Sequence, residues 1–156
     1  DYSSVFVPAS KDPDFQMRIM LIDEKHAHTH SGLVYNMAGE MGSHIRQEAL
    51  HGTKVYVNFF NGSERDRVMM HVDDREPVEM SRTVERDPYF LEQRERQQRT
   101  AHANEMPFWG EVESSHLWEG RLPTDLSPGV HVIHVHVSDQ YGQEFHDERI
   151  FEVSAP

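Results

Sequence analysis

Residues 115–142 read SHLWEGRLPTDLSPGVHVIHVHVSDQYG. A run from His116 to Leu122 carries Trp118 and Leu122 in one phase, and Leu122-Pro123 with Ser127-Pro128-Gly129 then supplies turn chemistry. From Val130 to Ser138 the alternation is regular: Ile133, Val135 and Val137 point one way, while Val132, His134 and His136 point the other. A period of two marks a strand with one buried face. Asp139-Gln140-Tyr141-Gly142 closes a short hairpin into Gln143–Val153. In that last run Phe145, Phe151 and Val153 share a phase that Ile150 breaks, which predicts a bulge. Strand, turn, strand, tight turn and strand in succession are the grammar of a β-sandwich.

Upstream, the same reading finds more strands. Phe15 to Ile22 places Phe15, Met17, Ile19 and Leu21 on one face, with Gln16 and Arg18 opposite. Thr53 to Phe60 is the strongest candidate. Val55, Val57 and Phe59 share a face, and Tyr56 and Phe60 make the other partly apolar, as in a central strand. Asn61-Gly62 is a turn, Arg67 to Val72 turns Val68, Met70 and Val72 inward, and Val78 to Val84 reads as one short strand. Residues 23–52, broken by Gly32, Gly39 and Gly42, read as a long irregular insertion with some local structure. Asp87-Pro88 opens a helix with a carboxylate cap followed by proline at the first helical position. That helix is predicted to run to about Ala101, docking by Tyr89, Phe90 and Leu91 with a solvated remainder. The expected fold is all-β, an immunoglobulin-like β-sandwich of about seven strands, with one helix insertion near 87–101. Residues 1–14, with Pro8 and Pro13, read as a linker or lead-in, and 15–156 as a single β-sandwich domain.

Composition bounds the function. With 15 Lys+Arg against 27 Asp+Glu, the formal net charge of −12 repels phosphate backbones and anionic lipid. Nucleic acid and membrane insertion are therefore not expected, and no run approaches the roughly 18 apolar residues of a membrane span. The absence of cysteine rules out a disulfide framework and thiolate metal sites. The simplest reading of a chain starting at Asp1 is a piece of a longer polypeptide or a mature form.

An ordered set of motifs carries a resemblance. Asn61-Gly62-Ser63-Glu64, Arg86-Asp87-Pro88-Tyr89, Ser115-His116-Leu117-Trp118, Leu122-Pro123, Leu126-Ser127-Pro128-Gly129-Val130-His131, Asp139-Gln140-Tyr141-Gly142-Gln143 and Arg149-Ile150-Phe151-Glu152-Val153 come in this sequence. Together they resemble the C-terminal domain of bacterial calcineurin-like metallophosphoesterases, over roughly residues 15–153. The resemblance implies a non-catalytic accessory domain of an exported, periplasmic or extracellular phosphoesterase. It would pack on its own upstream catalytic domain and shape substrate access. The two divalent metals of that family are expected in the catalytic domain, and no cofactor in this chain. Its metal motifs, D-x-H, G-D-x-x-x-D, G-N-H-[DE] and G-H-x-H, are missing here, apart from an H-x-H within His26-Ala27-His28-Thr29-His30 that lacks the glycine. The chain by itself is not expected to be an enzyme.

Two sets of residues remain as candidate sites. His26, His28 and His30 alternate, so an extended backbone would project three imidazoles from one face toward a metal. The plainer reading is a polar loop. Tyr89, Phe90, Phe108 and Trp109 are candidates for an interdomain or ligand patch. The alternative function, a carbohydrate- or surface-binding module, would use Trp109 as a stacking ring for a glycan. His134 and His136 share a face opposite His131, which reads first as an exposed sheet surface and second as a metal site or pH-sensitive contact. Ser114 and Ser115 adjoin His116, but adjacency in sequence does not make a hydrogen-bonded nucleophile and base.

Overall fold

The computed structural model describes residues 15–23, 44–93 and 113–156. Its strands are β1 (Met17–Asp23), β2 (His44–Arg46), β3 (Thr53–Phe59), β4 (Arg67–Val72), β5 (Val78–Glu79), β6 (Ser81–Arg86), β7 (Glu113–Arg121), β8 (Gly129–Ser138) and β9 (Glu144–Ser154). They make two sheets. One has four strands in the order β1-β3-β7-β6, and the other has five in the order β2-β9-β8-β4-β5. Pairing is antiparallel except for β2, which lies parallel to the end of β9.

Alternation along each strand decides what is enclosed. Met17, Ile19 and Leu21 of β1, Val55, Val57 and Phe59 of β3, and Trp118 of β7 line the inner face of the four-stranded sheet. Val68, Met70 and Val72 of β4, Ile133, Val135 and Val137 of β8, and Phe151 and Val153 of β9 face them. All are nearly inaccessible to solvent, and each such side chain contributes about 1.5–3 kcal/mol on burial. β3 lies between β1 and β7, with Tyr56 buried on its outer face, so the expected central strand is observed. The core residues expected of β4 and β8 also face inward.

Four expectations need revision. The all-β sandwich is observed, but with nine strands among the described residues instead of about seven. The short edge pieces β2 and β5 are too brief to show a period. The single strand expected over Val78–Val84 is two strands in different sheets, β5 and β6. Met80 is the crossing point: its side chain is buried and its N–H donates to the Val68 carbonyl at 2.8 Å. No bulge interrupts β9, whose register with β8 runs unbroken from Gly129↔Val153 to Ser138↔Glu144. Ile150 is out of phase because it sits on the outer face opposite Val132, and it is exposed. The helix insertion begins as predicted and occupies residues 88–93 of the described chain, its expected continuation to 101 lying outside them. Glu92 is buried, so burial on this helix extends past Leu91. The insertion over 23–52 contains β2 and an unpredicted 3-10 helix, Gln47–Gly52, in its second half. Residues 1–14, read as a lead-in, lie outside the described residues.

The helix start shows the local logic. Asp87 Oδ1 accepts from the N–H of Tyr89 at 2.8 Å and of Phe90 at 3.4 Å, and Leu91 N–H closes the first helical bond on the Asp87 carbonyl at 3.1 Å. Asp87 Oδ2 accepts from the buried amide of Asn58 on β3, which ties the cap to the sheet. Asp87→Ala removes both and is expected to cost about 1–2 kcal/mol. Urea unfolding measures this, and an unchanged midpoint would contradict the role of the cap.

Candidate functional site

The two outer faces of the sandwich differ. On the four-stranded sheet, Met20, Ile22, Tyr56 and Leu117 form a second buried apolar cluster, with Tyr89 packed against it. The Arg18 guanidinium lies 3.6 Å from the centroid of the Tyr89 ring, a cation–π contact. Lys54 Nζ meets Glu119 Oε2 at 2.8 Å, and the Tyr56 hydroxyl lies 3.4 Å from both Glu119 and Glu85. Burial, aided by the Glu85 charge, pushes the Tyr56 hydroxyl up to about 12. It stays protonated and donates to carboxylates.

The outer face of the five-stranded sheet carries a histidine array. Strand register sets it out: His71 of β4 lies opposite His134 of β8, and His136 of β8 lies between Met69 of β4 and His146 of β9. The His71 and His134 rings stack with centroids 4.6 Å apart, and the His136 and His146 rings meet edge to face at 3.7 Å. Met69, His71, Pro77, His134, His136 and His146 line a hollow of about 380 Å³. Carboxylates flank it. Glu148 Oε2 is 3.7 Å from His134 Nδ1, and Glu144 Oε2 is 3.6 Å from His136 Nε2. Both separations exceed a good hydrogen bond. Ser138 Oγ holds the Glu144 carboxylate at 2.8 and 2.9 Å. His71 Nδ1 is 2.6 Å from the Asp73 carbonyl, so Nδ1–H donates there. Among the described residues no group of three or more His, Asp or Glu side chains is placed to hold a metal ion.

A fifth imidazole near this array does a different job. His131, on the inner face of β8, is 8% exposed and packs near Phe151 at 5.6 Å between ring centroids. Its Nδ1 is 2.7 Å from Asp73 Oδ2 and its Nε2 is 2.8 Å from the Ser127 carbonyl. Both partners are acceptors, so the ring fully satisfies them only as an imidazolium donating twice. Burial lowers the pKa of His131, but the Asp73 hydrogen bond, the Ser127 carbonyl and the Asp73 charge together outweigh it, and the net shift is upward. For Asp73, desolvation pushes upward, while the bonds from His131 and from Val132 N–H prevail and hold the carboxyl below its ordinary value.

The comparisons with known proteins bear on the whole chain. A family model described as the C terminal of calcineurin-like phosphoesterase matches residues 1–145. The chain belongs to this family. No curated protein matches it. Among solved structures, CopC from Methylosinus trichosporium OB3b is similar at 14% identity and a TM-score of 0.38, over 79% of this chain and 92% of that one.

Within this phosphoesterase C-terminal domain, the predicted site residues fall into two groups. His26, His28 and His30, together with Phe108 and Trp109, lie outside the described residues. Tyr89 and Phe90 are both half-buried at the start of the helix, with Tyr89 committed to Arg18 and the outer apolar cluster. His116 N–H donates to Ser114 Oγ at 3.3 Å, but the His116 ring turns its Nδ1 to the Gly62 carbonyl at 2.6 Å. Sequence reasoning singled out His134 and His136 but missed His71, His146 and the Asp73–His131 pair. The available signal was phase: His71 alternates against Val68, Met70 and Val72, and His146 against Phe145. No helix among the described residues is long and apolar enough to cross a membrane.

Proposed function

We propose that this chain is a non-catalytic accessory domain of an exported, periplasmic or extracellular calcineurin-like phosphoesterase. It packs on the catalytic domain of the same polypeptide and shapes access of substrate to the two divalent metals held there. The observation that carries this reading is the family match across residues 1–145, which associates the chain with the C-terminal portion of those enzymes. The side-chain chemistry is in keeping with it. Among the described residues, the His116 ring meets the Gly62 carbonyl, and the His131 ring meets the Asp73 carboxylate and the Ser127 carbonyl.

The test compares the isolated chain with the parent enzyme, with and without this domain, on p-nitrophenyl phosphate and on a bulkier phosphodiester with added Mn(II). The isolated chain is expected to give no turnover above the metal blank. Deleting it from the parent is expected to change kcat/KM differently for the small and large substrates. Chelator-sensitive turnover by the isolated chain would overturn the non-catalytic reading. Identical kinetics of the parent with and without the domain would overturn the role in access.

A further inference from the structure

We propose that the outer face of the five-stranded sheet is the surface that seats on the catalytic domain of the same polypeptide, against an apolar patch ringed by Lys and Arg side chains. This rests on the reading above, that the chain packs on its catalytic domain, and says where. Three observations point to this face. The first is apolar surface exposed at the middle of the sheet. β8 and β9 are interior strands, flanked by β4 on one side and β2 on the other. Val132 and Ile150 are directly opposed across them, and Val130 lies on the diagonal of the same face. Val130 is 70% exposed and Ile150 58%. An antiparallel sheet that faces water alternates polar residues outward, so a branched apolar trio at its centre marks a contact surface. On the opposite outer face, Tyr89 of the helix already packs against the apolar cluster of Met20, Ile22, Tyr56 and Leu117.

The second is charge. Glu144, Glu148 and Glu152 occupy outward positions of β9 beside this patch. Among the described residues they meet the imidazoles of His136, His134 and His44 and the Ser138 hydroxyl, but no Lys or Arg. Carboxylates at the rim of an apolar patch suit a partner with a cationic rim. A second copy would bring the same acidic row and another net charge of −12. Charge thus favours the other domain over self-association.

The third is a socket. Beside Glu144 and Glu148 lies the hollow of about 380 Å³ walled by Met69, Pro77 and the rings of His71, His134, His136 and His146. An arginine from the partner suits it. The aliphatic stem packs on Met69 and Pro77, and the planar guanidinium stacks on an imidazole and reaches a glutamate at the rim. Arginine is among the residues that most often anchor an interface.

The sequence has no cysteine, so single cysteines report which surface is covered. Val130→Cys and Ile150→Cys are compared with Val84→Cys, also at an exposed valine but on β6 of the other sheet. Each is treated with N-ethylmaleimide in the 156-residue chain and in the parent enzyme, and peptide mass spectrometry reads the labelled site. Circular dichroism checks that each variant keeps its sheets. In the parent, labelling at Val130→Cys and Ile150→Cys is expected to slow by about tenfold or more, as in a contact of ordinary interdomain size, with Val84→Cys unchanged. Adding Glu144→Lys and Glu148→Lys should restore labelling of Ile150→Cys in the parent by about threefold or more, relative to the isolated chain. No restoration would overturn the basic rim. Unchanged rates at Val130→Cys and Ile150→Cys would overturn this face. With Val84→Cys slowed instead, packing on the catalytic domain would stand and only its location would fail; with all three unchanged, the packing itself would fail. Slow labelling of the isolated chain that quickens on dilution would assign the face to a second copy and overturn the proposal.

Discussion

Trp118→Ala lowers the free energy of unfolding by about 3–5 kcal/mol. The indole is one of the largest fully buried side chains in the sandwich, set on the inner face of β7 against the five-stranded sheet. Its far edge packs on the turn after β3. A Cβ added at Gly62 would lie 2.5 Å from Trp118 Cη2 and 2.7 Å from Cζ3, closer than atoms approach. Glycine is needed there for space. Gly62→Ala is therefore expected to destabilise by about 1–3 kcal/mol through overpacking. The two effects share one volume, so they should not add. In the double variant the new methyl enters the space left by the indole, and part of the Gly62→Ala cost is recovered. The recovery is incomplete, because the same Cβ is 2.9 Å from the Phe59 carbonyl, which is backbone and cannot move aside. Guanidinium unfolding of the two single variants and the double variant measures the cycle. Strict additivity would mean that Gly62 is constrained by its backbone alone and not by the tryptophan.

The second large effect lies at the end of the sandwich where the β4–β5 turn meets β8. His131→Ala is expected to cost about 1.5–3 kcal/mol, the range for hydrogen bonds to a charged group, plus lost packing beside Phe151. Asp73 reciprocates backbone bonds with Val132, donating its N–H to the Val132 carbonyl at 2.9 Å and accepting Val132 N–H on Oδ1 at 2.9 Å. These bonds hold Asp73 at φ 51°, a left-handed conformation that aspartate tolerates better than most residues. The pair also makes stability depend on pH. The pKa of His131 is raised above the ordinary 6.5, so its contribution is fully present below that pH and is lost as pH climbs through the folded value. The pKa of Asp73 is held below the ordinary 3.8, so its contribution is present above that pH and is lost as pH falls through the folded value. Between those limits the ion pair is intact. Thermal melts across pH should show the alkaline loss in the wild type and its disappearance in His131→Ala. A loss of the same size in both would assign it to other groups. Asp73→Asn keeps an acceptor for Val132 but lacks the charge, and should abolish most of the same pH dependence with a smaller loss of stability.

The sequence showed clearly the features that depend only on a residue and its near neighbours. A period of two reports which face of a strand is buried, and for β3, β4 and β8 the buried faces agree with the expectation. The Asp87-Pro88 cap is local too, because the carboxylate reaches N–H groups two and three residues on. Errors arose where local pattern was short or ambiguous. Val78–Val84 has too few residues to reveal that the chain leaves one sheet at Met80 and enters the other. Ile150 suggested a bulge because an exposed isoleucine on an open face looks, in sequence, like a core residue out of step.

By itself the sequence determined the all-β class, the inward residues, the helix start and the membership in a phosphoesterase C-terminal family. Only the tertiary structure decided the neighbours across strands. His71 reaches His134, His146 reaches His136, and Asp73 reaches His131 across 58 residues because β4, β8 and β9 pair in one particular register. Alternation specifies a side of the sheet. It is indifferent to which strand lies alongside, and that choice is made by burying both apolar faces against each other in a single arrangement.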